Sequence, residues 1–250
     1  MELSDRVAVI TGGGTGIGKA IATLFAQEGA KVMIAGRRED PLRQTCDEIA
    51  ASGGVAKYRV ADVSQSQQVQ SFLMQTVQEF GRLDILVNNA AIFVKGELGH
   101  EFSEEVWEDV LDTNLNSVIL CSRYAIPYLQ QNKGGVILNI TSVSAHVAQR
   151  RQMPYNVSKA AVEMLSKCMA LELGPSNIRV NTICPSMTDT EMAANAIAKR
   201  GREAIGNEHP IARMGQPMDS AQAALYLASD RASWVSGNSL FVDGGVVSNL

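Results

Sequence analysis

Tyr155 and Lys159 stand four residues apart in a stretch that reads as a helix after Pro154, so both side chains fall on one face. A phenol titrating near pH 10 is a poor base at neutrality, but an ammonium beside it favours the phenolate and brings general acid/base chemistry within range. Ser142 follows Asn139-Ile140-Thr141 at the carboxyl end of a β-branched run, the edge at which open α/β sheets bind ligands. A hydroxyl there could hydrogen-bond a substrate oxygen that Tyr155 also contacts, stabilising charge as it develops. Taken singly, each residue has an ordinary reading: a half-buried tyrosine, a surface lysine, a serine in a turn.

A second constellation lies near the amino terminus, where Thr11-Gly12-Gly13-Gly14-Thr15-Gly16-Ile17-Gly18 joins a strand to a helix. Glycines permit the tight turn and let backbone N–H groups approach a pyrophosphate at the positive end of the helix. About twenty positions on, NAD-binding folds place a carboxylate on the ribose 2′-OH, whereas a cation there accommodates a 2′-phosphate. Here the second strand ends Gly36-Arg37-Arg38, with no carboxylate and with guanidinium groups able to grip a phosphate. NADP(H) is therefore favoured; if Arg37 and Arg38 instead form a solvated turn with Glu39 and Asp40, NAD(H) binds as well.

The elements that must hold these groups alternate along the chain. Residues 7–11, 31–35, 56–60, 85–87, 136–140, 179–183 and 239–242 read as mostly apolar strands, and the segments between them carry helical periodicity, as in Ile17, Ile21, Leu24 and Phe25. Alternation of this kind predicts an α/β fold, a Rossmann-type, doubly wound, seven-stranded parallel sheet with helices on both faces. The 250 residues are expected to form one dinucleotide-binding and catalytic domain. Residues 186–217, with three prolines nearby and a helical insert over 190–205, read as a substrate lid.

A net charge of -4 offers no field for nucleic acid. No apolar run approaches the length of a membrane span, and the start lacks the pattern of a secretory signal. Cys46, Cys121, Cys168 and Cys184 are widely spaced, as in a reducing compartment, so a cytoplasmic protein is expected. His100, His146 and His209 show no paired spacing for a metal, and none is expected.

In content and order, these motifs resemble the short-chain dehydrogenase/reductase family over essentially the whole chain. The features that carry the resemblance are Thr11-Gly12-x-x-x-Gly16-x-Gly18, Asp62-Val63, Asn88-Asn89-Ala90, Asn114, Ser142, Tyr155-x-x-x-Lys159, Pro185 with Thr190, and Val242-Asp243-Gly244-Gly245. The resemblance implies that Tyr155 is the general acid/base, that Ser142 orients and polarises the substrate oxygen, and that Lys159 lowers the Tyr155 pKa and holds the nicotinamide ribose. It implies that Asn114 fixes a water in a proton relay. For the cofactor it implies contacts from Gly12, Thr15, Gly16, Ile17, Gly18, Arg37 and Arg38, from Asp62 and Val63 at the adenine, and from Asn89, Ala90 and Ala91 along the ribose and nicotinamide side. Pro185, Thr188 and Thr190 would hold the carboxamide, beside Tyr155 and Lys159. Ala91 and Ser186 stand where the family commonly has glycine, and Thr15 stands where NADP-preferring relatives often have a basic residue, which leaves Arg37 to carry most of the preference.

The expected activity is hydride transfer between the nicotinamide and a ketone or secondary alcohol, a small-molecule substrate. Within the family the resemblance admits 3-oxoacyl-thioester reductases, sugar 1-dehydrogenases and hydroxysteroid or xenobiotic carbonyl reductases. The alternatives are an NAD-dependent alcohol or sugar dehydrogenase and a cofactor-sensing protein without chemistry, the latter disfavoured by the retained acid/base set. Phe93, Val94, Val143, Met187 and Met192 are candidates for a moderately apolar pocket. Similar proteins are usually tetramers that pair long helices and the last strand, which here implies a homotetramer through residues 104–131, 155–173 and 240–242.

Overall fold

Every run expected as a strand is one in the computed structural model, which describes residues 1–94 and 103–249. The order is β1 (Val7–Thr11), α1 (Gly16–Gln27), β2 (Lys31–Gly36), α2 (Glu39–Ala51), β3 (Val55–Val60), α3 (Ser66–Phe80) and β4 (Ile85–Asn88). There follow α4 (Glu104–Leu111), α5 (Ser117–Gln131), β5 (Gly135–Ile140), α6 (Met153–Leu173), β6 (Ile178–Pro185), α7 (Ala194–Arg200), α8 (Arg202–Gly206), α9 (Pro217–Ala228) and β7 (Ser239–Val242). The seven strands form one parallel sheet in the order β3-β2-β1-β4-β5-β6-β7.

Alternation along each strand sends side chains to two separate cores. Ala8, Ile10, Val32, Ile34, Val136 and Leu138 pack with α1, α2 and α9, while Val9, Met33, Leu86, Ile137 and Val180 pack with α3, α5 and α6. The central strands are consequently apolar on both faces. β3 and β7, at the two edges, are only partly buried.

Strand order reverses between β1 and β4, which opens a crevice at their carboxyl ends. The loop of residues 11–16 enters that crevice from one side and Asn89 from the other. Residues 104–131 do not form one uniform helix: α4 and α5 are joined by a π-helical turn, Asp112–Asn116, that contains Asn114. Such turns carry no signature in hydrophobic periodicity and gather at functional sites. Segment 186–217 likewise divides, since Gly201 at φ 78° separates α7 from α8. Ala193, Ile205 and Met214 give it a small core of its own. Among the described residues no helix is long and apolar enough to cross a membrane.

Candidate active site

The crevice between β1 and β4 is a groove of about 330 Å³ whose lining includes Gly12, Thr15, Gly16, Ile17, Arg37, Arg38, Asp62, Val63, Asn89, Ala90, Ala91 and Thr190. Most residues expected to touch a dinucleotide are thus brought together. The groove suits a pyrophosphate for local reasons. Gly12 and Gly16 adopt φ of 66° and 54°, and a Cβ on Gly12 would stand 2.8 Å from Asn89 Nδ2. Thr15 makes no side-chain cap bond, so no side chain of its own takes up the N–H groups of the first turn of α1, which remain donors for an anion.

At Gly18 a Cβ would fall 2.3 Å from the Gly12 carbonyl oxygen, so glycine is required by the close crossing of α1 over the β1 loop. Asn89 is a clamp, donating from Nδ2 to the Thr11 and Gly12 carbonyls at 2.9 and 3.2 Å, while the Asn89 and Ala90 N–H groups both donate to Thr11 Oγ1. The Asp62 carboxylate accepts from Ser64 N and Oγ, which orders the turn after β3.

The two arginines after β2 differ. Arg38 reaches across the groove mouth to Glu191 at 2.7 Å, a partner far away in sequence rather than the neighbouring Glu39 or Asp40. Arg37 lines the same end of the groove and forms no ion pair among the described residues.

On the far side, Ser142 caps a short turn at the tip of β5, its Oγ accepting from Ser144 N at 3.1 Å. Tyr155 lies in the first turns of α6, near enough to Ser142 for the serine hydroxyl to favour its phenolate. Phe93 meets the Tyr155 ring edge-to-face at 5.2 Å and forms one wall beside it. Burial pushes the Tyr155 hydroxyl up to about 12, and the neighbouring Ser142 hydroxyl only partly offsets this. Desolvation is the largest influence on that hydroxyl, and the Lys159 Nζ stands 5.7 Å from the Tyr155 ring centroid. Lys159 is itself buried, donates to the Ile140 carbonyl at 2.8 Å, and is brought down to about 8 by desolvation.

Asn114 is buried, and its side chain faces the loop after β4. Its oxygen accepts from Ile92 N at 2.8 Å, and its amide donates to the Ile92 carbonyl at 3.0 Å and to Ser158 Oγ at 3.2 Å. The Asn114 amide thereby ties the loop after β4 to α6. Pro185 ends β6. Thr188 is buried, with its hydroxyl on the Ser186 carbonyl at 3.0 Å, and it bridges to Gly215 at the base of segment 186–217. Ser186, in place of glycine, bonds His209 Nε2 at 2.9 Å. Because His209 Nδ1 faces the Ile205 carbonyl and must donate there, Nε2 accepts and the serine hydroxyl is the donor.

One group escaped the sequence reading. His146, Glu163 and Cys184, on three different elements, bring their polar atoms within 4.8 Å of one another. The spacing is one that a cation could span, but the carboxylate already accepts hydrogen bonds from Thr141, Thr182, Cys184 and Ser239, so these residues form a satisfied network. The signal available in sequence was a glutamate two helical turns beyond Tyr155 on the same face. His100 lies outside the described residues.

Residues 12–247 match the family model described as enoyl-(acyl carrier protein) reductase. The chain is similar to the A-factor type gamma-butyrolactone 1′-reductase (1S-forming) of Streptomyces virginiae, at 41% identity over 246 residues covering 97% of this chain and 96% of that one. It is similar to the 3-oxoacyl-[acyl-carrier-protein] reductase of Thermotoga maritima, at 36% identity over 247 residues, 99% of this chain and all of that one. Among solved structures, a Beutenbergia cavernae protein with NADP bound at low occupancy superposes with a TM-score of 0.93 and 34% identity, covering 99% of this chain and 98% of the other.

Proposed function

The chain belongs to the short-chain dehydrogenase/reductase family and is an oxidoreductase acting on CH–OH or C=O groups with a nicotinamide cofactor; from that premise we propose that it is an NADP(H)-dependent reductase of a ketone, with Tyr155 as its proton donor. The observation that carries the reading is the gathering of Ser142, Tyr155 and the buried Lys159 at one place, at the end of the sheet next to the glycine-lined groove.

Bound in that groove, the nicotinamide would supply the hydride. The protein's residues do the rest. Ser142 and Tyr155 converge on one oxygen of the substrate, and Tyr155 gives it a proton as negative charge develops there. A hydroxyl held up to about 12 keeps its proton at neutral pH, as the acid in carbonyl reduction must. Lys159, cationic below about pH 8, favours departure of that proton, and the N–H groups not used on Ile140 would hold a ribose. Any water held at Asn114 would bind its main-chain carbonyl, since the side chain is engaged with Ile92 and Ser158.

Preference for the 2′-phosphate rests on Arg37, which lines the groove at the end of β2 with no carboxylate beside it at Gly36. Use of NAD(H) is the second reading, favoured by Arg38 being already held by Glu191. Segment 186–217 serves as the substrate lid of a single catalytic domain. A homotetramer is supported by the exposed apolar residues Val157, Met164 and Leu171, which recur every seven residues on one face of α6, and by Phe241 on the edge strand β7.

The test is Tyr155→Phe assayed with NADPH against a panel of ketones, ketoacyl thioesters and steroids. Turnover should vanish while NADPH binding, followed by fluorescence, stays close to that of the parent; retained turnover would remove Tyr155 from its role.

A further inference from the structure

The proposed chemistry leaves one buried charge unaccounted for. Glu163 lies one turn beyond Lys159 and two turns beyond Tyr155 on the same face of α6, and is buried. An ionised carboxylate is tolerated there only if it is well hydrogen-bonded. Its partners are Thr141 Oγ1 at 2.6 Å from the tip of β5, Thr182 Oγ1 at 2.9 and 3.0 Å and Cys184 Sγ at 3.1 Å from β6, and Ser239 Oγ from β7. His146 Nε2, from the turn after β5, stands 3.7 Å away.

One carboxylate thus ties the tip of β5, the body of β6 and the start of β7 to the helix that carries Tyr155. At β5 the hold is double. Lys159 grips the Ile140 carbonyl, Glu163 grips the hydroxyl of Thr141, and the next residue is Ser142. Two successive turns of α6 therefore fix two successive residues of the strand tip.

We propose that Glu163 is a positioning residue, which sets Ser142 against Tyr155 by pinning the end of β5 to α6. This rests on the roles given to Ser142 and Tyr155 above. A leucine at this place would fill the space but could not gather the hydroxyls, and a wholly structural role would have no need of charge. The four donors hold the Glu163 pKa below the usual carboxylate value despite burial, and its negative charge supports the protonated form of Lys159. Of the groups facing Glu163, namely Lys159, Thr141, His146, Thr182, Cys184 and Ser239, the Cys184 thiol is kept protonated by burial and donates to the carboxylate.

The test pairs Glu163→Gln, which removes the charge, with Thr141→Val, which removes one hydroxyl at nearly constant shape. Ketone reduction is measured from neutral to alkaline pH, NADPH affinity by fluorescence, and Lys159 titration by ¹⁵N NMR. In both variants kcat should fall on the order of ten- to a hundred-fold, the scale of a displaced reacting group, with NADPH affinity nearly unchanged. In Glu163→Gln alone, Lys159 should titrate roughly one pH unit lower, and Glu163→Asp should recover part of the loss. Unchanged kcat in both variants with an unchanged Lys159 titration, even at a lowered Tm, overturns the proposal. Should Glu163→Gln not fold, Thr141→Val decides on kcat. If the parent reduces no carbonyl, the proposed function fails instead; the Lys159 titration then decides this proposal, upheld by a downward shift in Glu163→Gln and overturned by none.

Discussion

Arg38 and Glu191 face each other at 2.7 Å across the mouth of the dinucleotide groove, joining the turn after β2 to the first turn of segment 186–217. Both side chains are more than half exposed, so the pair contributes no more than about 1 kcal/mol to stability. Its consequence is for binding, because it neutralises one of the two cations at the phosphate end of the groove. Glu191→Gln should leave Tm within about 1–2 °C of the parent and tighten NADPH a few-fold as Arg38 is released, with NADH unaffected. Weaker NADPH binding in a titration would mean that the ion pair closes the groove rather than competing with the ligand.

Arg37 has no such competitor among the described residues. Arg37→Ala should weaken NADPH by roughly ten- to a hundred-fold, the worth of one or two charge-assisted hydrogen bonds, and should change NADH little. Equal loss for both cofactors, measured by fluorescence titration, would assign Arg37 to general binding instead of phosphate recognition.

Lys159 sets the alkaline behaviour. Folded, it loses its proton at about 8, against 10.5 for an unperturbed lysine, while Tyr155 keeps its proton to about 12. The rate of ketone reduction should therefore fall as pH rises through about 8, from loss of the cation and not of the phenol proton. Stability moves in the opposite sense. Between 8 and 10.5 the unfolded chain binds more protons at this residue than the folded one, so its contribution grows more favourable as pH rises across that window. Denaturant titrations of the parent and of Lys159→Met at neutral and alkaline pH should show the variant lacking that gain; identical slopes would place the Lys159 pKa near its ordinary value.

Gly18 has no room for a methyl group, since the added carbon would lie 2.3 Å from the Gly12 carbonyl and 2.4 Å from Asn89 Nδ2. Gly18→Ala should cost on the order of 1–3 kcal/mol of stability, as overpacked positions do, and displace the glycine loop enough to abolish cofactor binding. Wild-type Tm with intact NADPH binding would show that α1 can retreat from β1 at no cost. Gly53, which has open space around it, is the control site, where any penalty of Gly→Ala comes from its positive φ alone.

What the sequence by itself determined is what its local order encodes. Short, mostly apolar runs placed all seven strands within two residues of their observed ends, the glycines marked the turn at the groove, and the four-residue spacing of Tyr155 and Lys159 put both on one face of α6. These features depend on near neighbours, and near neighbours are legible. The tertiary structure alone decided the rest. Strand order brought Thr182 and Ser239 beside Thr141, and so surrounded Glu163 with donors from three strands that sequence distance separates. Arg38 met Glu191, not Glu39, because segment 186–217 folds back over the groove. Asn114 was turned toward Ile92 by a π-helical turn that no periodicity announces. The Tyr155 pKa is raised because desolvation is set by everything that surrounds the hydroxyl, which no sequence neighbour reveals.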